Sequence, residues 1–435
     1  MEKIYDLIGI GFGPSNIALA IALEERSQEK GREVQALFIE RQPSFGWHPH
    51  MLLDDAHMQI SFLKDLVTLR DPTSRFTFIN YLYESGRLPD FINLKSFFPS
   101  RQEFNDYLGW AARQFERSCS YGEEVLEVWP EKRGDEVSLL RVRSRTSDGQ
   151  LSERLTRNLV VGIGGTPNVP DDFRSLRDDV RVFHSSTYLK DIARHPCARR
   201  IAVIGAGQSA AEIFMDLQGR PHQPQVDLIM RARAIRPSDD SPFVNEVFNV
   251  DFTDYMYSRP NDERAALLEE FSQTNYAVAD LELIQQIFKV LYLQKVARID
   301  RLRILPQHDV RSVQATPDGI VLSLLDRDAH HESSARYDAV VLATGFQRES
   351  YKDLLKPVAS YLGDFNVDRN YRLQATPDFL PGIFLQGACE DSHGLSDTLL
   401  SVTSVRTGEI CSALLATPVR AKAAIRKHTQ AVGAW

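Results

Sequence analysis

The sequence predicts an α/β chain of two parallel-sheet units, the second carrying a small helical insert. Three observations support that expectation. A short apolar run near the start breaks into a glycine turn and a helix. The same order of elements returns near the middle of the chain, and a helical stretch interrupts the strands beyond it.

The first turn lies in Tyr5 to Asn16, YDLIGIGFGPSN. Leu7-Ile8-Gly9-Ile10 reads as a strand and Gly11-Phe12-Gly13-Pro14-Ser15-Asn16 as the turn, with Ile17, Leu19, Ala20, Ile21 and Leu23 on one side of a helix. Strand, glycine turn and helix form the context of a dinucleotide fingerprint, so the unit reads as Rossmann-like. Gly11 permits the turn, Gly13 lets the backbone approach a pyrophosphate, and the helix start offers unpaired N–H groups to the anion. Asn16 stands at the third glycine position, a departure from the generic pattern. Downstream, the strand Gln35 to Glu40 ends in an acid, and Glu40 sits where a carboxylate takes a ribose hydroxyl pair.

After Glu40 comes a loop around Gly46-Trp47-His48, then short elements carrying Met58 to Leu66 and a turn at Asp71-Pro72. A helix is expected from Arg75 to Leu82 with Phe76, Phe78 and Ile79 inward, and another from Arg101 to Phe115. Alternation from Val125 to Val142, with Leu159 to Gly165, suggests a small β-meander returning to the main sheet.

The second fingerprint is Arg200 to Glu212, RIAVIGAGQSAAE, with Gly205 and Gly207 in a GxGxxA turn before a helix. Its following strand ends in Arg231-Ala232-Arg233 rather than an acid. Arginine there suits a 2′-phosphate through paired N–H contacts, so this site is expected to take NADPH. The helical insert is expected over 238–297, with Leu281, Ile284, Ile287, Phe288 and Leu291 as the buried face of its last helix, closing over a cleft. Tyr337 to Phe346 reads as a strand ending in Ala343-Thr344-Gly345, where the chain crosses back to the first unit. A strand at Gly382 to Ala388 then leads through Asp397 to a helix carrying Leu399, Leu400, Val402 and Val405, a second junction suited to flavin contacts.

The expected organisation is therefore an FAD-binding domain from residues 1–190 and 336–435, an NADPH-binding domain over 191–335, and the insert within it. Hydride would pass from nicotinamide to flavin, the cofactors carrying the chemistry while the chain orients them and excludes water. The totals fit a globular protein of two or three domains: 435 residues, 43% hydrophobic and 25% charged. A net charge of −8 argues against a nucleic-acid groove, and no window reaches the ~18–20 apolar residues of a membrane span. The first apolar run, interrupted by Asp6, is not a signal peptide. Cys119, Cys197, Cys389 and Cys411 form no CxxC, which excludes a local dithiol centre and a clustered zinc site and fits a reducing cytoplasm. Without a dithiol to receive electrons, oxygen chemistry leads.

FGPSN, the WH loop, MQISFLKDLVTLRDPTS, GAGQSAAE, SPFVNEVF, TNYAV, ATGF and HGLSDTLLS occur in one order. In that order and spacing the chain resembles the microbial flavin-dependent N-hydroxylating monooxygenases of hydroxamate siderophore pathways, and most of all their ornithine N5-monooxygenase branch. The resemblance runs from about Tyr5 to Arg406. It implies that Lys64 binds the substrate carboxylate, Asn245 the α-amino and carboxylate groups, and that Asn275 sits between the substrate amine, the NADP⁺ ribose and the flavin C4a. It implies further that Gln59 supports a C4a-hydroperoxyflavin, Met58 gates the flavin, Ser401 lies near the reacting amine, and Gln208, Ser209 and Arg231 hold NADPH. Taken alone, Lys64 reads as a solvated surface lysine, Asn245 and Asn275 as turn residues, and Trp47-His48 as either loop packing or a flavin wall.

The implied reaction is N-hydroxylation of L-ornithine by O₂, giving N5-hydroxy-L-ornithine, NADP⁺ and water, in a cytoplasmic homo-oligomer, a tetramer or dimer. The same chemistry on L-lysine or a diamine such as putrescine, or electron transfer to a protein partner, are the rival readings.

Overall fold

Short aliphatic runs buried on both faces form parallel strands, and each fingerprint supplies the central strand of such a sheet. The computed structural model describes residues 2–31 and 33–416. In the first sheet, Leu7–Ile10 lies between Ala36–Glu40 and Asn158–Val161, with Cys119–Tyr121 and Gly382–Leu385 at the edges, all parallel. In the second, Arg200–Ile204 lies between Gln225–Ile229 and Ala339–Leu342, with Leu302–Leu305 and Val182–His184 outside them, again all parallel.

Four strands follow the same order in both sheets, while the far edge strand comes last in the first sheet (Gly382–Leu385) and before the fingerprint strand in the second (Val182–His184). Each also inserts an antiparallel meander at the same point, before the strand that returns to the far side of the fingerprint strand. The first is Glu123–Arg133, Glu136–Thr146 and Leu151–Thr156; the second is His308–Thr316, Gly319–Asp326 and His331–Tyr337. The reversal of strand order opens a crevice at the carboxyl ends of the strands, where ligands of open α/β sheets bind. Two short strands, Thr166–Pro167 and Phe346–Gln347, pair where the chain passes between the units.

Four local expectations need correction. The helix Phe78–Glu84 starts at a Thr77 cap, whose hydroxyl accepts the Asn80 N–H at 3.2 Å. That phase turns Phe78, Tyr81 and Leu82 inward and leaves Ile79 exposed. The helix Leu281–Ala297, capped by Asp280, buries Ile287 in the core of the second sheet, with Ile284 and Leu291 packed against that core, while Leu281 and Phe288 are exposed. It is a crossover helix of the second unit, between the strands Gln225–Ile229 and Leu302–Leu305. Finally, Leu399 and Leu400 precede a helix that begins only at Thr403, after a 3-10 turn at Leu395–Thr398. Residues 417–435 of the expected FAD-binding domain lie outside the described residues.

Candidate active site

At the first fingerprint, Gly11 has φ +83°, and a Cβ there would stand 2.5 Å from the Gly162 carbonyl oxygen, so only glycine fits the turn. Gly13 is the N-cap of the helix Pro14–Lys30. Among the described residues no side chain caps that helix, and a Cβ on Gly13 would meet nothing within 4 Å. An uncapped helix start beside open space is what a phosphate group needs.

Asn16, fully buried, does the work of a third glycine by a different route. Its amide donates to the carbonyls of Ile10 at 3.1 Å and Gly11 at 2.7 Å and accepts from the Gln386 amide at 2.9 Å, bracing the turn against the strand Gly382–Leu385. Glu40 accepts the Phe12 N–H at 2.7 Å and the Gln42 N–H at 2.8 Å, which aims its carboxylate at the crevice beside the turn. Behind Ser15 lies a buried ion pair, Arg406 with Asp397 at 2.8 Å. These residues fit a dinucleotide.

The second fingerprint repeats the arrangement. Gly205 has φ +148° and would bring a Cβ within 2.3 Å of the Ala343 carbonyl oxygen, and Gly207 caps the helix Gln208–Gly219 without a side-chain bond. Ser209 lies in its first turn. Arg231 is exposed two residues beyond the second strand of this sheet, one residue past the place that matches Glu40 in the first. Thr344 donates its hydroxyl to the Asn168 carbonyl and Gly345 accepts from His184 Nε2 at 2.9 Å, so both sit in the crossover between units.

The loop of Trp47 and His48 meets the crossover strand of Phe346, and the space beside them is called the slot. His48, in left-handed backbone at φ 48°, is solvent-accessible yet surrounded by protein, with its ring 5.2 Å from Trp47 and 6.2 Å from Phe346. Enclosure, with the Arg101 and Arg348 cations, depresses its pKa to about 4, so it is neutral at physiological pH. Gln59 is exposed and Met58 buried on the segment that leads to Lys64. Asp65 fixes the Lys64 turn by accepting the N–H groups of Val67 at 2.9 Å, Thr68 at 2.6 Å and Phe78 at 2.8 Å. Lys64 is half-buried, burial lowers its pKa, and no described carboxylate pairs with it.

The remaining residues lie on segments that pack against the first unit. Val247 and Phe248, next to Asn245, pack on Leu395 with Leu399 alongside, and Leu400 packs on the core that holds Met58 and Leu66. Ser401 follows, buried. Asn245 spends its amide N–H on the Asp240 carbonyl at 2.8 Å, leaving its amide oxygen free of that bond. Asn275 is held from both sides. Tyr276 donates its hydroxyl to Glu390 of the first unit, while Ala277 lies 3.7 Å from where a Gly207 Cβ would be, and Asp280 N–H is accepted by Gln208 Oε1 at 2.8 Å.

Sequence reasoning missed the residues that tie the units together. Arg101 donates two bonds to Glu212, at 2.9 and 2.7 Å, joining a helix of the first unit to the second fingerprint helix. Arg369 bridges Asp254 of the insert and Glu409 of the C-terminal helix. Their partners stand too far away in sequence for any local pattern to reveal them.

A family model described as L-lysine 6-monooxygenase/L-ornithine 5-monooxygenase matches residues 3–348. The L-ornithine N(5)-monooxygenase of Pseudomonas aeruginosa is 50% identical over 434 residues, 98% of each chain. A solved structure of ornithine hydroxylase from that organism superposes with a TM-score of 0.92, at 50% identity, over 95% of this chain and 99% of its own. The ornithine N-hydroxylase of a Kutzneria species, solved with reduced FAD, NADP⁺ and L-ornithine, gives a TM-score of 0.90 at 36% identity, over 95% and 99%. The chain therefore belongs to the L-lysine 6-monooxygenase/L-ornithine 5-monooxygenase family.

Proposed function

We propose that the protein is an FAD- and NADPH-dependent L-ornithine N5-monooxygenase, forming N5-hydroxy-L-ornithine, NADP⁺ and water from L-ornithine, NADPH and O₂. One observation carries the reading. A chain kin to ornithine hydroxylases over nearly its whole length has two uncapped glycine-turn helix starts, and the Asn275 segment is held between Glu390 of the first unit and Gln208 at the second helix start.

FAD fits the first fingerprint, with Gly11, Gly13, Pro14, Ser15, Asn16 and Glu40 around the pyrophosphate and ribose, Asp397 and Leu399 beneath them, and Trp47, His48, Met58 and Gln59 along the slot. NADPH fits the second, with Gly205, Gly207, Gln208, Ser209 and Arg231, and Thr344 and Gly345 lie at the crossover. When bound, the two cofactors supply hydride transfer and oxygen activation. The chain's own part is positional. Lys64, a half-buried cation without a carboxylate partner, takes the substrate carboxylate, and Asn245 the groups beside it. Asn275 and Ser401 present neutral polar groups to the side-chain amine. An amine held by neutral groups loses its proton more readily than one beside a carboxylate, and only the neutral amine has a lone pair to oxygenate. His48, kept neutral, adds no charge to the slot.

The product suits a hydroxamate siderophore pathway in the cytoplasm, and four cysteines with no CxxC spacing support a reducing compartment. Self-association is supported by an apolar stripe on the helix Leu281–Ala297, where Phe288, Tyr292 and Val296 are 73%, 59% and 64% exposed.

The deciding experiment follows NADPH oxidation by FAD-loaded protein with L-ornithine, L-lysine, putrescine or no amine, scoring hydroxylamine in parallel. Product from L-ornithine far above the others supports the reading. Product from L-lysine or putrescine instead moves the substrate, and oxidation without hydroxylamine sinks the hydroxylase reading.

A further inference from the structure

The helix Thr403–Ala416 carries Arg406 in its first turns, and that guanidinium is 1% exposed. A buried cation near the start of its own helix is unfavourable on two counts, desolvation and the helix dipole. Asp397 offsets the charge: its Oδ1 accepts from Arg406 Nη1 at 2.8 Å, and its Oδ2 accepts the Cys389 N–H at 2.6 Å. A buried pair of this kind is weak evidence for stability, so its geometry calls for another explanation.

The second arm of the fork supplies one. Arg406 Nη2 donates to Ser15 Oγ at 2.9 Å, in the first turn of the uncapped fingerprint helix, and Arg406 Nε has no partner among the described residues. A serine hydroxyl has one proton and two lone pairs. With a lone pair engaged by a guanidinium, the Ser15 proton is turned away from Arg406. Among the described residues Ser15 Oγ donates to none, and the helix start beside it is open at Gly13. The arrangement sets Ser15 as a donor facing whatever occupies that opening, with a fixed positive charge behind it.

We propose that Arg406 is a positioning residue for the first dinucleotide site: it holds Ser15 as a phosphate donor and adds a buried positive charge behind the pyrophosphate. Asp397 holds the guanidinium in register, so it acts on the nucleotide through Arg406. The inference rests on the reading that this fingerprint takes FAD.

The test is FAD affinity of the apoprotein, by flavin fluorescence quenching, for the wild type, Ser15→Ala, Arg406→Met, Arg406→Lys and the double variants, with NADP⁺ affinity at the second fingerprint as an internal reference. Ser15→Ala is expected to weaken FAD about tenfold, as loss of a hydrogen bond to a charged group does. Both Arg406 variants should weaken it at least as much, Lys included, because one ammonium cannot span Asp397 and Ser15 together. Combining Ser15→Ala with either should cost little more than the Arg406 change alone, and NADP⁺ affinity should stay as in the wild type.

Wild-type affinity in Ser15→Ala, or losses that multiply in the double variants, would overturn the proposal, since a merely structural Arg406 gives independent effects. Should Arg406→Met fail to fold, Arg406→Lys carries the comparison. A wild-type apoprotein that takes up no FAD would instead overturn the functional reading, which keeps the two failures distinguishable.

Discussion

On the proposed reading, Lys64 is the residue that separates an amino acid from a diamine. Its ammonium is half-buried on a turn that Asp65 fixes with three backbone N–H bonds, and no described acid satisfies it. Truncating one partner of a hydrogen-bonded charge pair costs about 2–5 kcal/mol. Lys64→Ala should therefore raise the KM for L-ornithine by about 100-fold while kcat changes far less, as read from hydroxylamine formation under saturating NADPH; an unchanged KM removes Lys64 from the site. Arg231→Ala should raise the KM for NADPH about tenfold and leave NADH use nearly as before, since only the 2′-phosphate is lost as a partner. Glycine turns were legible at this scale because φ and space leave no choice of residue. The Asn16 brace was not, because its partner Gln386 lies far along the chain and only folding brings the two amides together.

Elements were legible where one side faces a core and illegible where caps or partners decide. Strands and crossover helices follow from apolar runs, but Thr77 starts its helix at Phe78 rather than Arg75 and leaves Ile79 at the surface. The same limit hid the junction between elements, where the Arg101–Glu212 pair joins a helix of the first unit to the second fingerprint helix. Breaking a buried pair on one side strands a charge at about 3–5 kcal/mol. Glu212→Ala should lower the unfolding free energy by roughly 3 kcal/mol in urea, and adding Arg101→Met should recover part of the loss. Additive losses would show that the two side chains act independently. Phe288→Glu, on the exposed side of the helix Leu281–Ala297, should shift light scattering toward the monomer with the melting temperature preserved, because Phe288 contributes little to its own subunit's core.

Over the whole molecule, two buried histidines give a pH limit. His184 donates Nε2–H to the Gly345 carbonyl at 2.9 Å and accepts the Ser186 N–H at 3.1 Å, so its neutral ring has both nitrogens engaged. His393 is placed likewise between the Arg369 carbonyl at 3.2 Å and the Ser392 hydroxyl at 2.8 Å, stacked on Tyr371. Burial depresses both pKa values from 6.5 to about 4, against the pull of the Asp397 carboxylate on His393. Folded values below the unfolded one mean that their stability is complete above pH 6.5 and is lost as pH falls toward 4. Each can contribute up to about 1.4 kcal/mol per pH unit in that window. The urea midpoint should fall steadily between those limits, and His184→Gln should flatten the slope; an unaltered slope would assign the acid sensitivity elsewhere.

The four strands that both sheets arrange in one order have a practical consequence. Gly13 and Gly207 occupy the same place in two copies of one plan, Ser15 and Ser209 each lie in the first turn of a fingerprint helix, and Arg231 stands one residue past the match of Glu40. Every alteration at one nucleotide site thus has a counterpart within the same polypeptide, sharing its concentration, folding history and solvent. The chain carries its own reference state, and a difference between its halves can be measured without a second protein.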